Sequence, residues 1–478
     1  MIDARLPPAK QSLAIARSTI HTSASRRPRG SVIKTQANHL LRVLGLAFGL
    51  AAVVGSVVGQ GILRSPGTVA LASDSATILI GLWLVGSLAA FVSAVSFAEV
   101  GAAIPNAGGG IAFAERAFGP RAGVVMAIML LVSYVTQTAM LAFVVGEFLA
   151  RLGVGGGQFG PGMLALACLA LFAALNAAGT RANGGAQIVL SAAKGFVLIG
   201  LVLVLFAQPG AVPSPSPLPS APTGTLAAYS VAMLLIVGTY NGWADLVFYG
   251  EEMRDPGRSV PRAMLGGIAG VTVLYLLVNL ALFHVLSPRA MAGSEFAAAD
   301  AAAGIFGVHG DTAFTAFGVL SVGAITNLSV MTTSRLVFAA ARDGILPRKL
   351  NWVSKRGTPM PAMLTSTLCA AMFLISGTYL ALSSITVAIG QLVAVVVIAS
   401  CIALRTKEPD LNRPFRVPLY PFTAWLALLI NLVLLAVFVF QDPFYSLLGI
   451  VLVAAISVPY FALKGRPNRV PTPVEQNP

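Results

Sequence analysis

The sequence predicts an all-α polytopic membrane protein of about twelve transmembrane helices, and three observations predict it. Of its 478 residues 56% are hydrophobic and only 10% are charged, whereas a soluble domain keeps about a quarter of its residues charged. Mean hydropathy is +0.84, so lipid must be the solvent for much of the surface. Apolar runs recur along the whole chain at about 20 residues, the length a helix needs to cross a hydrocarbon core about 30 Å thick. Barrel strands would need only about 10 residues of alternating character. Finally, the loops between runs alternate between basic and nearly uncharged.

In order, the runs cover roughly 41–72, 77–103, 122–150, 162–178, 185–207, 226–250, 261–286, 312–342, 360–378, 382–404, 420–440 and 443–464. Eight basic residues (Arg5, Lys10, Arg17, Arg26, Arg27, Arg29, Lys34 and Arg42) precede or begin the first run, against the single acid Asp3. Further clusters follow at Arg116 and Arg121, at Arg254, Arg258 and Arg262, and at Arg342, Arg348, Lys349, Lys355 and Arg356. Another holds Arg405, Lys407, Arg413 and Arg416, whereas the loops of the other side show only Arg151 and Arg289. This positive-inside distribution accounts for the net charge of +14 without a nucleic-acid partner. It predicts a multi-pass protein of the cell membrane with both termini in the cytoplasm. The head lacks the cleavage site of a signal peptide and reads as a disordered basic tail over 1–40.

The Pro- and Ser-rich segment 208–225 is uncharged, a semi-rigid outer linker. It separates a first group of five helices (41–207) from a second (226–404), with helices 11 and 12 in 405–464 and a short cytoplasmic tail over 465–478. Each half opens with a run interrupted by glycine: Gly55-Ser-Val-Val-Gly59-Gln-Gly61 and Gly238-Thr-Tyr-Asn-Gly242. Matching broken helices point to an inverted-repeat transporter with its site at the midplane. Small residues also mark plain helix–helix contacts. Two interruptions at equivalent places, one holding Tyr240 and Asn241, favour a site, because non-helical backbone at membrane depth survives only inside protein or against a water-filled cavity.

Broken helices expose free N–H groups at one end and free carbonyls at the other, with about half a charge at each. A zwitterion presents both signs, so an amino-acid head group fits: its carboxylate on N–H groups near Gln60 and Gly61, its ammonium on carbonyls near Val57, Gly238 and Asn241. With Gly59, Thr239 and Tyr240 these are the candidate binding residues. Lys194 lies about ten residues, or roughly 15 Å at 1.5 Å per residue, past the inner end of span five. A charge at that depth is functional by default. Glu99, Arg335, Glu251 and Glu252 are candidates for an inner gate or a structural network at the inner face. Asp245 is a candidate proton site, and Arg64 faces the outer side of the first break. Cys168, Cys369 and Cys401 fall inside apolar runs, the histidines are scattered, and no metal or cofactor is expected. An embedded enzyme would want converging His, Asp or Ser dyads in the spans, and none is visible. A channel would not need two broken helices.

These residues resemble the amino acid–polyamine–organocation superfamily, and within it the L-type amino-acid transporter branch. The first break resembles that family's first-helix signature. Phe97-Ala-Glu-Val-Gly101 with Ile104-Pro-Asn-Ala-Gly-Gly109 resembles its second-helix exit. Tyr240-Asn-Gly-Trp243, Glu251-Glu-Met-Arg-Asp-Pro256 and Val260-Pro-Arg-Ala263 resemble its sixth helix and following loop. Ser334-Arg-Leu336, Ala341-Arg-Asp-Gly-Ile-Leu-Pro347 and Arg413-Pro-Phe-Arg-Val-Pro418 resemble its later loops. The resemblance implies a five-plus-five inverted repeat with two extra helices and sodium-independent amino-acid transport, proton-coupled or exchanging; the alternative is a polyamine or other organocation. It also implies that Lys194 stands in the place of sodium and bridges helices one and eight. Two departures bear on specificity and partners. Gly238 stands where the family carries a bulky aromatic gate, which leaves Tyr134 as a candidate replacement. The loop 151–161 lacks the cysteine that tethers a heavy chain, so no disulfide-linked heavy chain is expected.

Overall fold

The computed structural model describes residues 40–210, 225–292, 294, 297–376 and 379–464. The N-terminal tail to residue 39, the linker over 211–224 and the C-terminal tail from 465 lie outside the described residues. The described chain is helical: α1 (Leu46–Val57), α2 (Gln60–Val69), α3 (Ala76–Ala103), α4 (Gly110–Phe118), α5 (Pro120–Arg151), α6 (Pro161–Ala177), α7 (Thr180–Phe206) and α8 (Leu226–Thr239). Then come α9 (Pro256–Val285), α10 (Pro288–Met291), α11 (Ala297–Phe306), α12 (Val308–Arg342), α13 (Met360–Ser376), α14 (Tyr379–Lys407), α15 (Phe422–Gln441) and α16 (Pro443–Lys464). Proline sets several starts. Pro120, Pro161 and Pro256 occupy the first helical turn, where a missing N–H costs nothing.

Among the described residues nine helical segments are long and apolar enough to cross a membrane. The remaining expected spans correspond to α6 and α13, each 17 residues long, and to the broken pair α1 and α2. Three short helices were not foreseen: α4, between α3 and α5, and α10 and α11, between α9 and α12.

Both interruptions form, with different local structures. Between α1 and α2 the backbone leaves helical geometry at Val58 (φ −72°, ψ 97°) and Gly59 (φ −153°, ψ −146°). After α8 the chain passes Tyr240–Gly242 and resumes over Trp243–Tyr249 as a 3₁₀ segment. A 3₁₀ run of seven residues is unusually long, and such stretches mark hinges or strain. Gly242 has φ +114°, and a Cβ there would lie 2.9 Å from the Ser56 carbonyl oxygen, so both conformation and space require glycine.

The most apolar windows of α5 and α12 are each 83% buried, against 17% for α15 and 22% for α16. The first two therefore form the centre, packed on each other, and the last two lie on the periphery. Segments carrying the basic clusters come together at one end. There the Leu44 N–H donates to the Glu252 carbonyl and the Arg254 N–H to the Leu44 carbonyl, both at 2.9 Å, joining the chain before α1 to the chain after the 3₁₀ segment.

Candidate functional site

A cavity of about 410 Å³ lies where the two breaks meet, walled by α5, α12 and α14 and reaching the corner between α15 and α16. Val57, Gly59, Gly61, Gly238, Thr239 and Asn241, all among the residues expected at the site, line it. The side chains of Gln60 and Arg64 lie outside the described part. Tyr240 does not line the cavity; its ring is buried against Trp83 and Tyr275, with centroids 6.3 and 5.1 Å away. In a helix end this tight, neighbouring side chains point in different directions, so Asn241 turns to the cavity while Tyr240 turns into the core.

Gly59 caps α2 without a side chain, which leaves the first turn of that helix uncapped by any side chain. Gly61 also allows a close approach, since a Cβ there would lie 2.9 Å from the Thr239 backbone. Ser65 and Thr239 join α2 to α8 through hydroxyls 2.9 Å apart. Carbonyls at the ends of α1 and α8 already accept hydrogen bonds. Tyr275 donates its hydroxyl to the Val57 carbonyl at 2.8 Å, and the Gly238 carbonyl accepts from the Asn241 N–H at 3.2 Å. Tyr275, on α9, gave no signal in the sequence because an aromatic in an apolar run reads as packing.

Lys194 is fully buried, and its Nζ donates to the Gly55 and Val58 carbonyls at 2.7 Å each. Both bonds go to the chain of the first break. Helix α12 joins through Ser321, whose hydroxyl donates to the Val58 carbonyl at 3.5 Å. The link to α12 is thus indirect.

Asp245, in the 3₁₀ segment, lines the cavity and is buried. Tyr134 of α5 donates its hydroxyl to Asp245 Oδ1 at 2.6 Å, and Ser56 of α1 donates to Oδ2 at 3.4 Å. Tyr134 itself lines a second hollow of about 170 Å³ rather than the larger cavity. Gly238, Asp245, Gln137 and Phe438 line both, so the two hollows adjoin. A Cβ on Gly238 would meet nothing within 4 Å. At the far end of the cavity Ser384 donates to Asp442 at 2.5 Å.

Ion pairs join the elements at the basic end. Arg335 of α12 grips Glu252 through Nε to Oε1 and through Nη2 to Oε2, the latter at 2.8 Å, with both side chains buried. Its guanidinium lies over the Tyr249 ring, 5.2 Å from the centroid. Arg342 pairs with Glu251 at 2.7 Å and reaches Asn106 Oδ1 at 3.2 Å. Glu99 joins neither pair. Arg405 holds it at 2.5 Å, Arg413 lies 3.2 Å away, and the Val417 N–H donates to it at 2.6 Å. It anchors α3 to the end of α14 and the loop that follows, partners more than 300 positions away that no local pattern indicates.

A family model described as amino acid permease matches residues 41–457. The chain belongs to that family. The permease is 28% identical over 426 residues to the b(0,+)-type amino acid transporter 1 of Mus musculus, covering 86% of each chain. It is 28% identical over 390 residues to the large neutral amino acids transporter small subunit 2 of Homo sapiens, covering 80% of this chain and 73% of that one. It is also 26% identical over 439 residues to the serine/threonine exchanger SteT of Bacillus subtilis (strain 168), covering 90% of this chain and 99% of that one. The permease is a multi-pass membrane protein of the all-α class, and the family to which it belongs is one of transporters rather than enzymes.

Proposed function

We propose that the permease is a secondary active transporter that moves amino acids across the cell membrane by alternating access, with both termini in the cytoplasm. The observation that carries this reading is the meeting of two broken helices at one cavity, where the uncapped start of α2 faces the end of α8. Opposite helix ends present opposite partial charges, which match the two poles of an amino-acid head group. The substrates named for the relatives are amino acids, which supports the same class here.

The positive-inside rule assigns the basic end to the cytoplasm. On that assignment the cavity opens outward, and Arg335–Glu252 with Arg342–Glu251 forms the closed inner gate. Lys194 fills with its own charge the place between the first break and α12, so the cycle runs without sodium, by proton coupling or exchange. The chain divides into two five-helix halves, 41–207 and 226–404, which rock against each other. The loop 151–161 contains no cysteine, so the permease works without a disulfide-tethered subunit. Purified protein in liposomes should accumulate labelled amino acid and release it to unlabelled amino acid outside. Equal uptake into protein-free vesicles would overturn the reading.

A further inference from the structure

We infer that Asp245 is the residue that receives the substrate's ammonium group, so that a side-chain carboxylate rather than helix-end carbonyls alone selects for an amine. This deepens the amino-acid reading above and rests on it. Two of the three expected carbonyl acceptors for the ammonium, those of Val57 and Gly238, already accept a hydrogen bond. Gly55 and Val58 carbonyls take Lys194, the Val57 carbonyl takes Tyr275, and the Gly238 carbonyl takes the Asn241 N–H. Asp245 sits at the same junction, within reach of Ser56 beside the first break and four positions beyond Asn241 at the second.

The carboxylate is 7% exposed and lines both hollows. Its neighbours within hydrogen-bond reach are hydroxyls: Tyr134 at 2.6 Å on one oxygen and Ser56 at 3.4 Å on the other. An ionised carboxylate offers about four acceptor sites, and these two donors leave capacity on the Ser56 side. Among the described side chains that line the larger cavity there is no Lys, Arg or His. A buried carboxylate without a cation is costly, and an intramembrane acid facing a cavity marks a substrate or ion pathway. The substrate ammonium supplies the missing charge. The substrate carboxylate then goes to the uncapped first turn of α2, which places the two poles on two different breaks.

Competition by matched ligands on purified protein tests this, using L-leucine, its 2-hydroxy analogue, isopentylamine and isocaproate. A site built to pair a polar group rejects the analogue lacking it by orders of magnitude. The wild-type protein should therefore bind leucine at least about a hundredfold more tightly than the hydroxy acid. Asp245→Asn, which keeps an acceptor for Tyr134 but not the charge, should reduce that ratio about tenfold or more. An unchanged ratio in Asp245→Asn overturns the role of Asp245 and leaves amino-acid transport standing. The wild-type protein decides independently of any variant: isopentylamine should compete measurably and better than isocaproate, and the reverse order overturns the inference. If isopentylamine competes as well as leucine, Asp245 keeps its role, but the reading as an amino-acid transporter fails in favour of an organic amine.

Discussion

Helix α7 exposes most of its surface, with only 28% of its apolar window buried, yet Lys194 on it is fully enclosed. Its charge lies on two backbone carbonyls freed by the first break, so lysine and broken helix account for each other. Lys194→Ala should abolish net transport while leaving a folded protein, measured as uptake against the melting profile in detergent. Full uptake by the variant would show that the amine only packs. Gly238 presents the opposite case, a position defined by what is missing. Its Cβ would enter open space where two hollows adjoin, with Phe438 lining both. An aromatic ring in a pocket of this size outweighs the about 1–3 kcal/mol of a single methylene. Gly238→Phe should therefore shift preference from leucine, phenylalanine and tryptophan towards alanine. Inhibition constants for the four ligands in both forms check this, and an unchanged rank order would mean that Phe438 already sets the volume.

At the scale of elements, the two interruptions differ in kind. The first is a two-residue break between α-helices; the second continues as 3₁₀ helix, tied at its far end to the chain before α1 by a pair of backbone hydrogen bonds. The ends of the two broken elements on the basic side are thus fastened together, and Arg335 fastens α12 to them through Glu252. Removing one member of a buried ion pair costs about 3–5 kcal/mol because the other charge is left alone. Glu252→Gln should lower the melting temperature markedly, and adding Arg335→Met should recover part of the loss. A double variant no more stable than Glu252→Gln would mean that the pair is not energetically coupled. A second fastening joins α6, α7 and α12 by a closed ring of amides: Asn183 donates to Asn176 at 2.7 Å, Asn176 to Asn327 at 3.0 Å and Asn327 to Asn183 at 2.9 Å.

For the whole molecule, the cavity lies to one side of the Arg335–Glu252 and Arg342–Glu251 pairs, and on the proposed reading the substrate meets both broken helices at once. Two consequences follow for solution behaviour. Free amino acids should raise the melting temperature, whereas their methyl esters and N-acetyl forms should not, because each blocked form loses one pole of the head group. Equal stabilisation by free and blocked forms would sink the two-pole arrangement. Uptake should proceed unchanged when sodium is replaced by choline, since Lys194 already supplies the cation beside the first break. Uptake that vanishes without sodium while Lys194→Ala remains active would reverse that conclusion.

Much of this was written in the order of residues alone. Span positions, the membrane as solvent and the basic end follow from hydropathy and charge, which act residue by residue along the chain. Both breaks were legible too, because glycine's effect on a helix is local, as at Gly59 and Gly242. Tertiary structure alone decided which way side chains near a break point, turning Asn241 to the cavity and Tyr240 into the core. It alone brought Tyr275 to the Val57 carbonyl, Glu99 to Arg405 and Arg413, and Asp245 to Tyr134. These partners lie 111 positions or more apart in the chain. In lipid every apolar face is equally welcome outside, so hydropathy cannot say which face of a helix meets which neighbour. Only packing of the whole bundle settles where each buried polar group finds its partner.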